Sequence, residues 1–240
     1  MPRSLEPLVL QKAPGYREAT YTAIKEAILS GYFKYGQALI EEEVAAKLQV
    51  SRTPVREALA ILQHEGLIAQ RTGRGFHVRQ LTREEFVEMF VANEVVEPYL
   101  VRRASLMATD EQLRAMEDAI IFSKQCVDCD DIPGLLRSGR DFHRAVGLAS
   151  DNIPLAQFVL HNEERTDLYL MSYETMLDIS RMQRSNQEHE AIFNAITRRD
   201  PESAARLVTY HSQSVRERLS PFFNEDEFRK AASTKEMEVN

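Results

Sequence analysis

The sequence predicts a mainly α protein in two parts: an N-terminal winged helix-turn-helix over residues 16–80 and an all-α antiparallel helical bundle over residues 81–222. Three observations predict it. In the first part, helical apolar spacing is interrupted by glycines and followed by two short extended runs around Gly73 and Gly75. From residue 81 the helical period continues to about Phe222. The connections between these later helices are short, which makes neighbours antiparallel. An irregular arm, 1–15, and a charged tail, 223–240, flank the two parts.

Taken in order, Ala19, Ala23, Ile24, Ala27 and Ile28 recur at helical spacing from Tyr16 to Leu29, and Gly31 and Gly36 end that helix. Residues 41–48 read as a short helix with Glu41, Glu42 and Glu43 in its first turn, where the helix dipole favours acids. Gln49-Val50-Ser51 is a tight connection into a third helix, Arg52 to His64. Ser51 is its predicted N-cap, and Pro54 is tolerated in the first turn. Gly66 stops it, and the runs LIAQR and FHVRQ form a hairpin. The bundle helices are predicted near 83–107, 110–128, 131–149, 153–177, 182–199 and 201–219. Thr82 with Glu85, and Thr109 with Gln112, are capping-box pairs.

Composition narrows the class. No apolar run reaches the ~18 residues of a membrane helix. Two cysteines make no disulfide framework, a secretory signal is not legible, and a reducing cytoplasm is expected. Cys126 and Cys129 read as free thiols. The net charge of −7 hides a split: residues 1–80 carry eleven basic and eight acidic side chains, so the excess of acids lies beyond them. Such asymmetry points to a part facing nucleic acid on an acidic body. Gly-rich phosphate loops, G-x-S-x-G and H-E-x-x-H are absent, so no catalytic residues are expected.

The third helix carries the chemistry for duplex DNA. Arg52 and Arg56 are four apart and share a face. A guanidinium bound to O6 and N7 of guanine contributes roughly 1–3 kcal/mol of discrimination. Ser51 and Thr53 offer hydroxyls and backbone N–H groups to phosphates. Val55, Ala58, Leu59 and Leu62 form the opposite, core-facing side. At the hairpin tip, Arg74 and Gly75 combine a cation with a residue that permits close approach, which suits a minor groove.

These residues carry a family resemblance. Residues 16–80 resemble the winged helix of GntR-type bacterial transcription regulators, through Ala27-Ile28-Leu29-Ser30-Gly31, the run Ser51-Arg52-Thr53-Pro54-Val55-Arg56-Glu57-Ala58-Leu59, Glu65-Gly66-Leu67-Ile68 and Arg74-Gly75. The resemblance implies base contacts by Arg52 and Arg56 and a minor-groove contact at Gly75. Two positions depart from it: Tyr35-Gly36 stands where Pro-Gly is usual, and Glu42 where a basic residue is common.

Residues 82–219 resemble the all-helical FCD effector domain of the FadR-like subfamily, through Val96-Glu97-Pro98, Phe142-His143-Arg144-Ala145, Asn152, Glu188-His189-Glu190-Ala191-Ile192 and Tyr210-His211. This implies a homodimer on a pseudo-palindromic operator, a small carboxylate effector, and one divalent metal, zinc, nickel or similar, on His143, His189 and His211. Two departures bear on those sites. Gly139 replaces the Asp expected one turn before His143, and Asp141 lies about 200° away on the helix. Asn93 stands where the resemblance has an Arg that would meet a carboxylate; it stays a candidate effector-binding residue, and either the effector is less acidic than usual or another cation, Arg140 or Arg144, anchors it. The expected function is a ligand-responsive transcription regulator. The rival is a metal-dependent enzyme on the bundle, since three histidines leave coordination positions open. The polar run from His161 to Arg165 reads as a solvated helix face.

Overall fold

Left-handed backbone turns set the corners of the N-terminal part. Gly31 and Gly66 sit at φ of 74° and 77°, a conformation that costs glycine little, and close the first and third helices. The computed structural model describes residues 16–70, 75–172 and 179–219. Its N-terminal part runs α1 (Tyr16–Leu29), β1 (Ala38–Leu39), α2 (Glu41–Leu48), α3 (Arg52–His64), β2 (Ile68–Gln70) and β3 (Phe76–Val78). The strands are antiparallel in the order β1-β3-β2, with Ile68 opposite Val78 and Ala38 opposite His77. β1 extends the predicted hairpin by an edge strand of two residues. Ser51 sits at the N-terminus of α3 in extended conformation, but its side chain makes no cap hydrogen bond.

The bundle comprises α4 (Arg83–Met107), α5 (Asp110–Asp128), α6 (Ile132–Ala149), α7 (Ile153–Met171), α8 (Ile179–Thr197) and α9 (Pro201–Leu219). Both capping boxes form: Thr82 accepts from the Glu85 N–H, and Thr109 from the Gln112 N–H. Asp131 and Asn152 cap α6 and α7 in the same way. α7 is described to Met171 and α8 from Ile179; the predicted continuation of α7 to about 177 lies outside the described residues. The predicted arm and tail lie outside the described residues, as does the hairpin tip at 71–74.

Two apolar clusters hold the chain. One lies among α4, α5, α6, α8 and α9 around Met116, Phe142, Ile192 and Ile196. The other starts between α1, α2 and α3, with Ile24, Ile28, Val55, Leu59 and Leu62, and runs on into Phe86, Met89 and Phe90 of α4 and Leu168–Met171 of α7. Phe86 stacks on Tyr169 at 4.3 Å between ring centroids. The winged helix and the bundle therefore share a continuous core.

Polar contacts reinforce the junction. Lys25 of α1 reaches Glu164 of α7 at 2.7 Å and Glu65 at 3.1 Å, all three nearly buried. Burial opposes the charge on Lys25, yet the Glu164 carboxylate holds its pKa above the ordinary lysine value.

Candidate nucleic-acid interface and bundle cavity

α3 presents two chemically distinct sides. Val55, Ala58, Leu59 and Leu62 are fully buried against α1 and the sheet. The Arg52 and Arg56 side chains remain 53% and 64% exposed on the other side. Each arginine is held by α2: Arg52 Nη1 lies 2.8 Å from Glu42 and Arg56 Nη2 lies 3.0 Å from Glu41. Hydrogen bonds from Arg56 lower the Glu41 pKa. Exposed pairs of this kind contribute ~0–1 kcal/mol, so a duplex can displace them. Ser51 and Thr53 are exposed beside the arginines. Gly75 is exposed at φ 71°, and Arg74 lies outside the described residues.

In the bundle, α6, α8 and α9 bring His143, His189 and His211 together. Their candidate ligand atoms lie within 4.8 Å of one another, and all three side chains are buried. His211 Nδ1 is 2.8 Å from Glu188 and His143 Nδ1 is 2.5 Å from Glu97, so each of these rings donates to a carboxylate through Nδ1. That leaves Nε2 of His211 facing Nε2 of His189 at 3.2 Å. Imidazoles oriented by carboxylates and converging through ring nitrogens make a donor set that suits a divalent transition ion.

The electrostatics separate the three rings. Burial opposes charging of His143, but Glu97 and Glu163 raise its pKa to about 9. His189 is pushed well below its ordinary value by burial and by the neighbouring rings. Burial also lowers His211 despite its bond to Glu188. Glu188 itself, although half-buried, is drawn down to about 2 by His211 and Arg218.

The histidines line a cavity of about 110 Å³. Gly139 also lines it: a Cβ built there would stand 3.6 Å from the His189 ring. A β-carbon at position 139 would thus be in ordinary van der Waals contact with that ring. Asn93 is at the wall, accepting from Asn162 at 2.9 Å and donating to Glu163 at 2.8 Å. Arg140 lines the cavity too; its Nη1 lies 2.5 Å from Asp167 and its Nη2 3.2 Å from Glu26 of α1, while its buried Nε has no partner among the described residues.

Two expectations need correction. Arg144 does not line the cavity; its partly exposed side chain pairs with Asp141 at 2.7 Å. The run from His161 to Arg165 is not a solvated face. Asn162 and Glu164 are buried, and Glu163 faces the cavity, because α7 is enclosed by α1, α4 and α6. The sequence reading passed over Asp167 and Glu26 and took Glu163 only as part of that run; nothing in their spacing marks them. Glu97 lay in a quoted motif without a role.

Comparison with known proteins decides the family. The model for bacterial regulatory proteins of the gntR family matches residues 16–78, and the FCD domain model matches residues 88–214. The chain belongs to the GntR family and carries an FCD domain. The HTH-type transcriptional repressor NanR of Klebsiella aerogenes is 30% identical over 214 residues, covering 80% of each chain. The Nta operon transcriptional regulator of Aminobacter aminovorans is 29% identical over 186 residues, or 77% of this chain and 85% of that one. The solved structure of E. coli McbR/YncC superposes with a TM-score of 0.78 at 19% identity, covering 88% of this chain and 99% of the other. This GntR/FCD protein is a DNA-binding transcription regulator and not an enzyme.

Proposed function

We propose that this GntR/FCD regulator binds a pseudo-palindromic operator as a homodimer and releases or tightens on it when a small molecule enters the bundle cavity. The carrying observation is Arg140, which lines the cavity and pairs with Glu26 on the first helix of the winged domain. A ligand that disturbs the Arg140 pairs acts on α1, and α1 packs against the DNA-reading α3. Coupling of this kind is typically worth 1–3 kcal/mol between the two sites.

The homodimer reading is supported by α4. Val91, Val95 and Tyr99 recur at four-residue spacing and are exposed, Val95 to 76%, with Leu106 further along the same side. An apolar stripe of this kind on a single copy fits a self-complementary face. DNA reading by Arg52 and Arg56 is supported by their exposure on the side of α3 away from the buried Val55, Ala58, Leu59 and Leu62.

His143, His189 and His211 would hold a divalent ion such as zinc or nickel, which would supply a Lewis-acid anchor for a ligand. Its arrival would displace the proton that Glu97 and Glu163 favour on His143. Elemental analysis of protein purified without chelator tests this part: stoichiometric metal lost in His189→Ala supports it, and metal-free wild-type protein contradicts it. The regulatory reading is tested by footprinting the purified protein on its own upstream DNA. Protection of two half-sites about one helical turn apart is expected. Uniform, sequence-independent protection would contradict it.

A further inference from the structure

The two acids that hold the DNA-reading arginines are not equivalent. The Glu41 side chain, at the start of α2, is 20% exposed, whereas that of Glu42 is 58% exposed. One carboxylate of Glu41 spans both arginines. Arg56 meets it side-on, with Nε 3.2 Å from each carboxylate oxygen and Nη2 3.0 Å from Oε2. Arg52 reaches the same Oε2 through Nη2 at 3.3 Å. Hydrogen bonds from Arg56 above all hold the Glu41 carboxyl below the ordinary glutamate range, so the clamp is charged at neutral pH. A guanidinium has two edges that donate in pairs: Nε with Nη2, and Nη1 with Nη2. In Arg56 the first edge lies on Glu41, and the second has no partner among the described residues. Paired donors of that second kind match O6 and N7 of guanine. Arg56 can therefore read a base without leaving its acid. Arg52 is held differently, with Nη2 on Glu41 and Nη1 2.8 Å from the more exposed Glu42.

We infer that Glu41 is a specificity-determining positioning residue: it stays on Arg56 in the protein–DNA complex and aims the free Nη1–Nη2 edge of that arginine at a guanine in the major groove. This deepens the proposed reading of DNA by α3 and rests on it. The clamp contributes order rather than stability. A long side chain already held in its working rotamer loses less freedom on binding. A fork fixed along its Nε side has one direction left in which to donate in pairs. An acid on a face that meets phosphates also repels the duplex, whatever its sequence. Positioning and repulsion therefore change affinity in opposite directions when the acid is neutralised, and that separates them.

The test starts from duplexes that the full-length wild-type protein recovers from a random-sequence pool. Each base pair of the recovered site is exchanged in turn between G·C and A·T, and affinity is followed by fluorescence anisotropy. Arg56→Ala is expected to erase the preference at a G·C position, which marks the base that Arg56 reads. Glu41→Gln is expected to weaken the preference at that same position by roughly tenfold, the scale of one good bidentate contact, while affinity for a scrambled duplex holds or rises. Glu41→Asp, which keeps the charge on a shorter stem, is expected to fall between. Glu42→Gln removes an equal charge without touching the clamp and is expected to raise specific and scrambled affinities alike, with every preference kept. In the Arg56→Ala background, Glu41→Gln is expected to change no preference further. Melting curves check that the variants fold. Preferences left intact by Glu41→Gln, or loosened equally at all positions, would overturn the inference. So would the same position-specific loss in Glu42→Gln. If Arg56→Ala itself leaves every preference intact, or the pool yields no preferred site, the reading of DNA by α3 fails and the inference falls with it.

Discussion

Arg140 and Glu26 tie the bundle cavity to the first helix of the winged domain: the Arg140 guanidinium, 3% exposed, stands 3.2 Å from the Glu26 carboxylate and 2.5 Å from Asp167. The two acids differ in kind. Asp167 is buried, so losing its partner leaves a carboxyl that must either stay charged in the interior or hold its proton to still higher pH, whereas Glu26 is half in water. Arg140→Met is therefore expected to cost about 3–5 kcal/mol of stability, and Glu26→Gln no more than ~1 kcal/mol. Urea melts of both variants check this; equal losses would show that Asp167 does not depend on Arg140.

Lys25 makes a parallel fastening. It is the cation between Glu164 and Glu65, and an oxygen of each acid is buried without a further partner. Lys25→Met leaves both acids uncompensated and is expected to destabilise by about 3–5 kcal/mol. Adding Glu164→Gln removes one stranded charge, so the double variant is expected to recover part of that loss. Strict additivity in denaturant melts would contradict the pairing.

Asp167 sets a pH dependence. Burial raises its pKa to about 7 against the pull of Arg140, from an ordinary value of 3.8. The folded protein thus binds this proton more tightly than the unfolded chain. The stability it contributes is full below 3.8 and is lost as pH rises through about 7. Asp167→Asn is expected to flatten the fall in unfolding free energy across that window, measured by urea melts at stepped pH. An unchanged slope would remove Asp167 from the account.

The α4 stripe predicts the assembly state. Val95→Glu places a charge at the most exposed residue of the stripe and is expected to convert dimer to monomer, read by light scattering after size exclusion. The monomer should lose operator affinity while keeping its far-ultraviolet helix signal. A dimer that persists would move the interface elsewhere.

What the sequence made legible was local. Val55, Ala58, Leu59 and Leu62 share one helical face, so the packed and exposed sides of α3 follow from spacing alone. The threonine caps of α4 and α5 follow from a three-residue pattern. β1 was not legible, because two residues show no alternation and Ala38–Leu39 becomes a strand only through β3. The three histidines could be named from family motifs, but their meeting depends on how α6, α8 and α9 pack. The commitment of Arg140 was hidden for the same reason, since its acids lie 27 and 114 positions away. In α7, adjacent polar residues looked solvated because each faces a different neighbour: Glu163 meets Asn93 and Glu164 meets Lys25.

The most direct measurement is operator affinity of the wild type beside Arg52→Ala, by fluorescence anisotropy on a specific and a scrambled duplex at several salt concentrations. The account predicts a loss of roughly 1–3 kcal/mol on the specific duplex and a narrowed preference between the two. An Arg52→Ala protein with unchanged affinity and unchanged preference would contradict it.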